Sequence, residues 1–393
     1  MLDRLAPSQT DSLMELGRLM RADPRTDKID LGVGTYRDEH GAIPIMAAVK
    51  AAENDLVRTQ TSKGYVGPAG DELFARLLQD ALLGPTLSGT EERTMRIQTP
   101  GGTGALRLAL QIIAQANPAA RVWIATPTWP AHVPLARACG LEVRTYRHLD
   151  TAGGYDAAAA DAALDQAEAG DVILLHGCCH NPTGVDVTSS QWPHLAKRLG
   201  EKGLIPLIDL AYPGLGESLQ GDVEGVRTLL AACPEALVAL SCSKSFGLYR
   251  DRAGILLGLA SSPAVARNLA GVAASQARLL WSNPPDHGAA VTRAILSSAE
   301  LTPIWRAELD AMRARVNGLR ASLAALDFQR LDLSRLARQR GMFAMLPLTP
   351  EEVVRLREEH GLYMDISGRI NVAGLNPANF DRFATALAAI DRH

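Results

Sequence analysis

The sequence predicts an α/β fold with a large domain, built on a mostly parallel sheet covered by helices, and a smaller α+β domain. Three observations lead to this fold class. The chain has 393 residues, which is too long for one ordinary hydrophobic core. Short apolar runs alternate with helical patterns through the middle of the chain, as they do in parallel sheets. From about residue 301 this alternation gives way to one long amphipathic pattern.

Short apolar runs are the candidate strands of the sheet. They span residues 121–126, 142–146, 171–176, 204–209, 236–241 and 253–258. Between them, the Ala-rich segment 156–170 predicts a surface helix, and the capping-box pattern Thr188-x-x-Gln191 predicts a second helix over 188–201. Because ligands of such sheets bind beyond the carboxyl ends of the strands, polar residues at strand ends are the first candidates for a site.

The domain boundaries follow from the change of pattern. Apolar residues recur at three- and four-residue steps from Trp305 to Leu323, which predicts a long helix that leads out of the large domain. The early segment 28–37, with the strand-like sequence IDLGVG, is expected to join the smaller domain. We therefore predict an N-terminal arm and part of the small domain in 1–43, the large domain in 44–311 and the small domain in 312–393.

Composition argues against several classes of function. Apolar residues make up 47% and charged residues 21% of the chain, as in a globular protein. The 40 Lys and Arg against 43 Asp and Glu give a net charge of −3, whereas proteins that bind nucleic acids or membrane surfaces usually carry a basic excess. No apolar run is as long as a membrane span, and the charges in segment 1–23 argue against a signal peptide. Five cysteines without framework spacing favour reduced thiols, so we expect a cytoplasmic protein.

The segment around Lys244 carries the strongest chemical signal. This lysine follows the predicted strand 236–241, where burial makes its neutral amine more accessible than it is in water. A neutral amine is what a lysine needs to bond covalently to a carbonyl carbon. Ser241, Ser243 and Arg252 add hydroxyl groups and a planar cation, which together suit a phosphate. An aldehyde joined to a phosphate describes pyridoxal 5′-phosphate (PLP).

A second phosphate signal is the sequence PGGTGALR at residues 100–107. Its glycines precede a helical run over 105–116, so backbone N–H groups point outward at a helix N-terminus. The sequence lacks the Gly-Lys-Ser/Thr of a P-loop and the spacing of a GxGxxG fingerprint. Taken alone, it is equally compatible with an ordinary Gly-rich loop.

Polar residues at other strand ends complete the candidate site, and each has a structural alternative. Trp129 could stack on a flat cofactor or pack in the core. Asp209 could pair with a protonated pyridine nitrogen or cap a helix, and Tyr212 could then reach the cofactor's phenolic oxygen. Asn181 lies in a turn after the sequence HGCCH at 176–180. Histidine and cysteine side chains this close together in sequence cannot all converge on one metal ion, so no metal site is expected.

One arginine stands out in the predicted small domain. Arg369 begins an apolar strand in the sequence SGRINVAG, where an unpaired guanidinium would be costly. It could bind a substrate carboxylate through both of its terminal nitrogens, or it could form a structural ion pair. Asp365, four residues earlier, has no role that the sequence explains.

Taken together, these segments resemble the class I PLP-dependent aminotransferases, and most closely the aspartate and aromatic amino acid branch of fold type I. The resemblance covers nearly the whole chain, from LGVGTYRDEHG near residue 31 to SGRINVAG at 367–374. The strings QTPGGTGALR, HGCCHNPTG, SKSFGLYRDRAG and SNPPDHG follow the order of that branch and roughly its spacing. Several motifs in one order make the resemblance specific.

The resemblance implies a role for each candidate residue. Lys244 would bind PLP and move a proton between the substrate Cα and the cofactor, while Asp209 would keep the pyridine nitrogen protonated. The implied cofactor contacts are Trp129, Asn181 and Tyr212 on the ring, Gly102, Thr103, Ser241, Ser243 and Arg252 on the phosphate, and Tyr65 from the other subunit of a homodimer. The implied substrate contacts are Gly34, Trp129, Asn181, Arg369 for the α-carboxylate, and Arg278 for a distal carboxylate across the dimer interface. Residues 1–7 would be an arm that lies on the partner subunit.

The resemblance further implies ping-pong transfer of an amino group from an amino acid to 2-oxoglutarate. Arg278 implies that dicarboxylates are accepted, but apolar residues near the implied substrate favour an aromatic side chain. These residues are Ala47, Gly64, Leu279, Leu280 and Trp281, whereas Thr103 and Asn283 resemble the aspartate type. We therefore expect an aromatic amino acid aminotransferase that retains aspartate activity. The alternatives are an aspartate aminotransferase, a PLP-dependent lyase and a non-enzymatic sensor of the same fold.

Overall fold

The structure, a computed structural model, describes residues 2–4, 12–84 and 89–392. The predicted arm of residues 1–7 therefore lies mostly outside the described residues. The chain forms two compact units. The larger contains Pro44–Asn317 and Gln339–Gly341, and the smaller contains Met1–Ile43, Gly318–Arg338 and Met342–His393.

Short strands and longer helices make up both units. The strands within the described residues are β1 (Ile29–Asp30), β2 (Thr94–Pro100), β3 (Arg121–Thr126), β4 (Glu142–Arg147), β5 (Val172–His176), β6 (Ile205–Leu210), β7 (Ala236–Ser241), β8 (Ala253–Leu259), β9 (Phe343–Met345), β10 (Leu362–Tyr363) and β11 (Arg369–Asn371). The helices are α1 (Ser12–Ala22), α2 (Ala47–Thr59), α3 (Glu72–Leu83), α4 (Gly101–Ala116), α5 (His132–Ala138), α6 (Ala157–Gln166), α7 (Trp192–Lys202), α8 (Glu224–Ala232), α9 (Cys242–Ser245), α10 (Pro263–Leu280), α11 (His287–Ser297), α12 (Leu301–Ala324), α13 (Pro350–His360) and α14 (Phe380–Asp391). None of these helices is both long enough and apolar enough to cross a membrane.

The larger unit is built on a seven-stranded sheet with the order β2-β8-β7-β6-β5-β3-β4. Strands β3 to β7 pair in parallel, whereas β8 runs antiparallel to both of its neighbours, β2 and β7. Each of the predicted strands is present within one residue of its expected ends, but β2 was not predicted from the sequence. The predicted α/β fold class is confirmed.

The sequence of the central strands explains why they form the core of this unit. Strand β7 (ALVALS) and strand β8 (AGILLGL) are buried along their whole length, as expected of strands that are covered on both faces. Helix α4 packs on both of them and buries its own apolar side, which includes Leu106, Leu110 and Ile113. The sheet therefore holds the carboxyl end of β7 and the start of α4 in fixed positions.

One predicted helix begins later than expected. The predicted capping pair does form a contact, because the Gln191 side chain accepts hydrogen bonds from the backbone N–H and the hydroxyl of Thr188. These residues form a turn, however, and helix α7 begins at Trp192. Pro193 explains the later start. Proline fits the first turn of a helix, because the N–H groups there make no hydrogen bond within the helix and the missing N–H of proline costs nothing.

The smaller unit contains two short sheets. Strand β1, from the segment predicted to join this part of the chain, pairs in parallel with β10, and β9 pairs antiparallel with β11. Asp365 lies in the turn before β11, where its carboxylate accepts hydrogen bonds from the backbone N–H and hydroxyl of Ser367. This turn gives Asp365 a structural role that the sequence did not reveal. The division between the two units falls inside α12, which also contains the predicted boundary at 311/312.

Candidate active site

Most of the predicted site residues line one cavity of about 140 Å³ in the larger unit. The cavity opens where strands β5, β6 and β7 end, as expected for a sheet of this kind. The predicted residues in its wall are Gly102, Thr103, Trp129, Asn181, Asp209, Tyr212, Ser241, Ser243, Lys244 and Arg252. Leu106, His176 and Ala211 complete the wall, and the sequence did not identify them.

Lys244 lies on the short helix α9, directly after β7. The Ser241 hydroxyl caps this helix by accepting a hydrogen bond from the backbone N–H of Ser243 at 3.2 Å. Burial and, to a smaller extent, the positive charge of Arg252 lower the pKa of Lys244, Asp209 raises it, and the net result is a pKa of about 8. The fraction of neutral amine therefore rises as the pH passes through about 8, well below the value for an exposed lysine.

A chain of hydrogen bonds orients the carboxylate of Asp209. Oδ2 of Asp209 lies 3.1 Å from Nε2 of His132, and Nδ1 of His132 lies 2.7 Å from the hydroxyl of Thr128. Because a carboxylate can only accept, Nε2–H donates to Asp209, and a neutral ring then accepts from Thr128 at Nδ1. His132 is fully buried and Asp209 is nearly so, which fixes the direction of the carboxylate towards the cavity.

Two histidines of this site were not predicted from the sequence. His132 lies 77 residues before Asp209 along the chain, so only the fold brings them together. The ring of His176 lies 4.9 Å from that of His132, and burial holds the pKa of His176 well below its usual value. No local sequence pattern marks His132, because Thr128 lies before the start of α5 and the contact with Asp209 joins distant parts of the chain.

A positively charged recess adjoins the first turn of α4. Arg252 donates from Nη1 to the hydroxyl of Ser243 at 3.1 Å, and its own backbone has a positive φ of 53°. Gly101 has a φ of 69°, which favours glycine, and a Cβ atom there would lie 2.6 Å from Nη2 of Arg252 and would displace the guanidinium. The guanidinium and the N–H groups at the start of α4 thus converge on one anion-binding recess.

Asn181 is held by a turn that closes on one carboxylate. Asp186 accepts hydrogen bonds from the backbone N–H groups of Cys179 at 2.9 Å and His180 at 2.8 Å. Cys179 has a φ of 52°, a strained conformation that these bonds stabilise. The amide oxygen of Asn181 is buried, and it has no hydrogen-bond partner among the described residues. Asn181 therefore presents an unused polar group to a ligand in the cavity.

Two further predicted residues lie near each other in the smaller unit. Arg369 is buried at the start of β11, where its Nη2 donates to the Gly32 carbonyl oxygen at 2.9 Å and its guanidinium stacks over the ring of Phe343 at 4.9 Å. A Cβ atom on Gly34 would lie 2.9 Å from the same ring. Asn371 holds the Gly34 segment by donating to the carbonyl oxygens on either side of it, at Val33 and Thr35.

Tyr65 and Arg278, the residues expected to act across a subunit interface, do not line the cavity of the larger unit. Tyr65 is 93% exposed and Arg278 is also exposed, near the end of α10. The neighbouring Leu279 is 77% exposed. Contacts within the described residues of one chain do not explain why Tyr65, Arg278 and Leu279 are exposed.

Known proteins resemble the chain along almost its entire length. The family model described as aminotransferase class I and II matches residues 26–387. A tyrosine aminotransferase of Rhizobium meliloti is 49% identical over 96% of this chain and 97% of its own. An aspartate aminotransferase of Salmonella typhi is 42% identical over 99% of this chain and 100% of its own. The solved structure of an aromatic-amino-acid aminotransferase from Burkholderia pseudomallei, covalently bound to pyridoxal phosphate, is 37% identical, with a TM-score of 0.95 over 100% of this chain and 99% of its own.

Proposed function

Because the chain belongs to the aminotransferase class I and II family and is a PLP-dependent transaminase, we propose that it transfers amino groups from aromatic amino acids to 2-oxoglutarate and retains activity on aspartate. The observation that carries this proposal is the apolar character of the positions beside Arg278. Leu279, Leu280 and Trp281 lower the cost of placing an aromatic ring there, while Arg278 itself suits a second carboxylate. One pocket would then serve both kinds of substrate.

The cavity of the larger unit fits PLP by the chemistry of its donors. Arg252, Ser243 and the N-terminus of α4 form a recess suited to a phosphate, and the amide oxygen of Asn181 awaits a polar partner. Trp129 offers a flat apolar face, and Lys244 offers an amine of lowered pKa. Bound PLP supplies an aldehyde that condenses with amines and a ring that withdraws electrons from the Cα of an amino acid.

We assign the roles in this cavity residue by residue. Lys244 would bond to the aldehyde and, once displaced by an amino acid, would take the proton from Cα. Asp209, oriented by His132, would hold a proton on the pyridine nitrogen, and Asn181 and Tyr212 would bind the ring oxygen. Gly102, Thr103, Ser241, Ser243 and Arg252 would bind the phosphate, and Trp129 would stack on the ring.

The remaining assignments concern the substrate and the subunits. Arg369 would bind the α-carboxylate of either substrate, and Gly34 would belong to the segment that closes over it. The proposal includes a homodimer in which Tyr65 and Arg278 act at the partner's site. The exposure of Val57 and Leu279 supports it, because large apolar side chains left in solvent are typical of a surface that another chain covers. A cytoplasmic location is also part of the proposal, and it is supported by five cysteines in the thiol form.

A substrate panel tests the proposed preference. We expect kcat/KM for phenylalanine and tyrosine, with 2-oxoglutarate as acceptor, to equal or exceed that for aspartate. An aspartate kcat/KM about two decades above both aromatic values, a gap of about 2.7 kcal/mol, would overturn the aromatic preference.

Two further measurements test the kinetic mechanism. Initial rates at several acceptor concentrations should give parallel double-reciprocal lines, because one site serves both halves of the reaction. An oxo acid formed in stoichiometric amount from the amino acid alone would separate a transaminase from a lyase.

Replacing Arg278 by leucine should affect dicarboxylates selectively. Loss of one member of a buried charge pair costs about 2–5 kcal/mol, so kcat/KM for aspartate should fall by about 30-fold or more. Phenylalanine brings no second carboxylate, and its kcat/KM should change by less than about fivefold. The control is Arg267→Leu, an exposed arginine on the same helix, which should alter neither value. Equal losses for both amino acids in Arg278→Leu would show that this arginine does not select the side chain.

A further inference from the structure

The ring of Tyr249 lies close to the amine of Lys244. Nζ of Lys244 stands over this ring at 4.8 Å from its centroid, and the Tyr212 ring is farther away at 6.0 Å. Both distances fall within the range in which a cation is attracted to the face of an aromatic ring. Tyr212 already has a role on the cofactor in the proposed function, whereas Tyr249 is not one of the residues that line the cavity of the larger unit.

Hydrogen bonds in the anion-binding recess fix the position of Tyr249. Its carbonyl oxygen accepts a hydrogen bond from Nη1 of Arg252 at 3.2 Å, and the same nitrogen donates to Ser243. The chain reverses between Lys244 and Tyr249 at Gly247, which has a φ of 65°. The arginine that binds the phosphate therefore also holds the tyrosine opposite the lysine.

The charges around Lys244 show what the ring contributes. Burial and the positive charge of Arg252 both disfavour the ammonium form of Lys244, and Asp209 favours it. Once a cofactor ring pairs with Asp209, that carboxylate compensates the ring nitrogen and has less to offer the lysine. An aromatic face carries negative potential without titrating, so it can stabilise an ammonium in a dry site without competing for the proton.

We propose that Tyr249 is a positioning residue for transamination, and that its ring face holds the Lys244 ammonium after the lysine has taken a proton from the substrate Cα. In that step the Cα–H bond breaks, an N–H bond forms at Nζ, and the electron pair of the broken bond is left at Cα, from which the bound cofactor would withdraw it. The ring keeps the charged amine beside the reacting atoms until the proton is returned to carbon. This inference rests on the role of Lys244 in the proposed function, and it adds a residue that acts through that lysine.

The first test measures the apoenzyme, so it does not depend on turnover. The pKa of Lys244 is obtained from the pH dependence of its acetylation rate, followed by peptide mass spectrometry, with exposed Lys197 as an internal reference. Tyr249→Leu removes the ring and should lower the pKa of Lys244 by about 0.4–1.5 units. Tyr249→Phe retains the ring face and should stay within about 0.3 units of the wild-type value. Tyr249→Met, which fills a similar space without a ring, should behave as leucine does, and it replaces the leucine variant if that one does not fold.

The second test separates positioning from a merely structural role. Tyr249→Leu should lower kcat by about tenfold, change KM for the amino donor by less than about twofold, and increase the isotope effect on substrate deuterated at Cα. Tyr249→Phe should restore both values. An unchanged pKa in the leucine and methionine variants, or equal damage in the phenylalanine variant, would overturn the inference. Neither result would affect the proposed function, which depends on Lys244 itself.

Discussion

Replacing Lys244 by alanine is expected to lower kcat/KM for every amino donor by at least about 10⁴-fold. A positioned general base alone contributes about 10²–10⁴ to a proton transfer, and the variant also loses the covalent bond to the cofactor. The loss should be the same for phenylalanine and aspartate, because the step acts on Cα, which both share. Single-turnover measurements with each donor would determine it.

The matched control and a chemical readout make this test specific. Lys197→Ala removes an exposed lysine of α7 and should leave turnover unchanged. Borohydride reduction of wild-type enzyme supplied with PLP should leave a pyridoxyl group on Lys244, and the alanine variant should carry none. If the variant kept more than about one hundredth of the wild-type rate, Lys244 could not be the proton carrier.

Replacing Asp209 by asparagine should give the second largest loss, about two to four orders of magnitude in kcat/KM. The amide is nearly isosteric and can still accept from His132, so the hydrogen-bond chain to Thr128 survives. What disappears is the negative charge, and leaving a buried positive partner uncompensated costs about 3–5 kcal/mol. The fall should appear in kcat more than in KM, because the carboxylate would stabilise the charge on the ring nitrogen mainly in the transition state.

An exposed carboxylate provides the control for the Asp209 variant. Asp310→Asn, on the exposed side of α12, removes the same charge from a residue that does not line the cavity, and it should leave kcat/KM within about twofold. An Asp209→Asn enzyme within tenfold of wild type would exclude the proposed pairing with the pyridine nitrogen.

The sequence predicted the core of the larger unit because its strands are short, apolar and well separated. Strand β7 was predicted at its observed ends, and Lys244 follows it as expected. The parallel order of the sheet then brought Asn181, Asp209 and Lys244 together, since the carboxyl ends of parallel strands share one edge. These predictions needed only local pattern and one rule of sheet geometry.

Strand β8 was predicted, and its antiparallel direction could have been predicted as well. Strands β7 and β8 are joined by residues 242–252, a shorter link than the dozen or more residues that a parallel crossover requires. Strand β2 was missed for a different reason. Its sequence TMRIQTP mixes apolar and polar residues, and the glycines that follow it directly are more typical of a loop.

The contacts that orient the side chains of the site could not be predicted from the local sequence pattern. His132 reaches Asp209 only because α5 begins beside the sheet edge, and Tyr249 faces Lys244 only because the chain reverses at Gly247. Neither side chain has a periodicity or a neighbour in sequence that marks it. Such residues depend on the packing of elements far apart in the chain or on backbone dihedral angles, and one sequence reveals neither.

The short link between β7 and β8 has a consequence for how this enzyme can diversify. It carries both Lys244, assigned to the aldehyde, and Arg252, assigned to the phosphate. One local hairpin would therefore hold the cofactor at two opposite ends. The hydrogen bond from Arg252 to Ser243 lies within the same link, so part of the spacing between the two side chains is set locally. Substitutions at Arg278 and its neighbours on α10 leave this link unchanged, so the choice of amino acid could change during evolution without altering these two cofactor contacts.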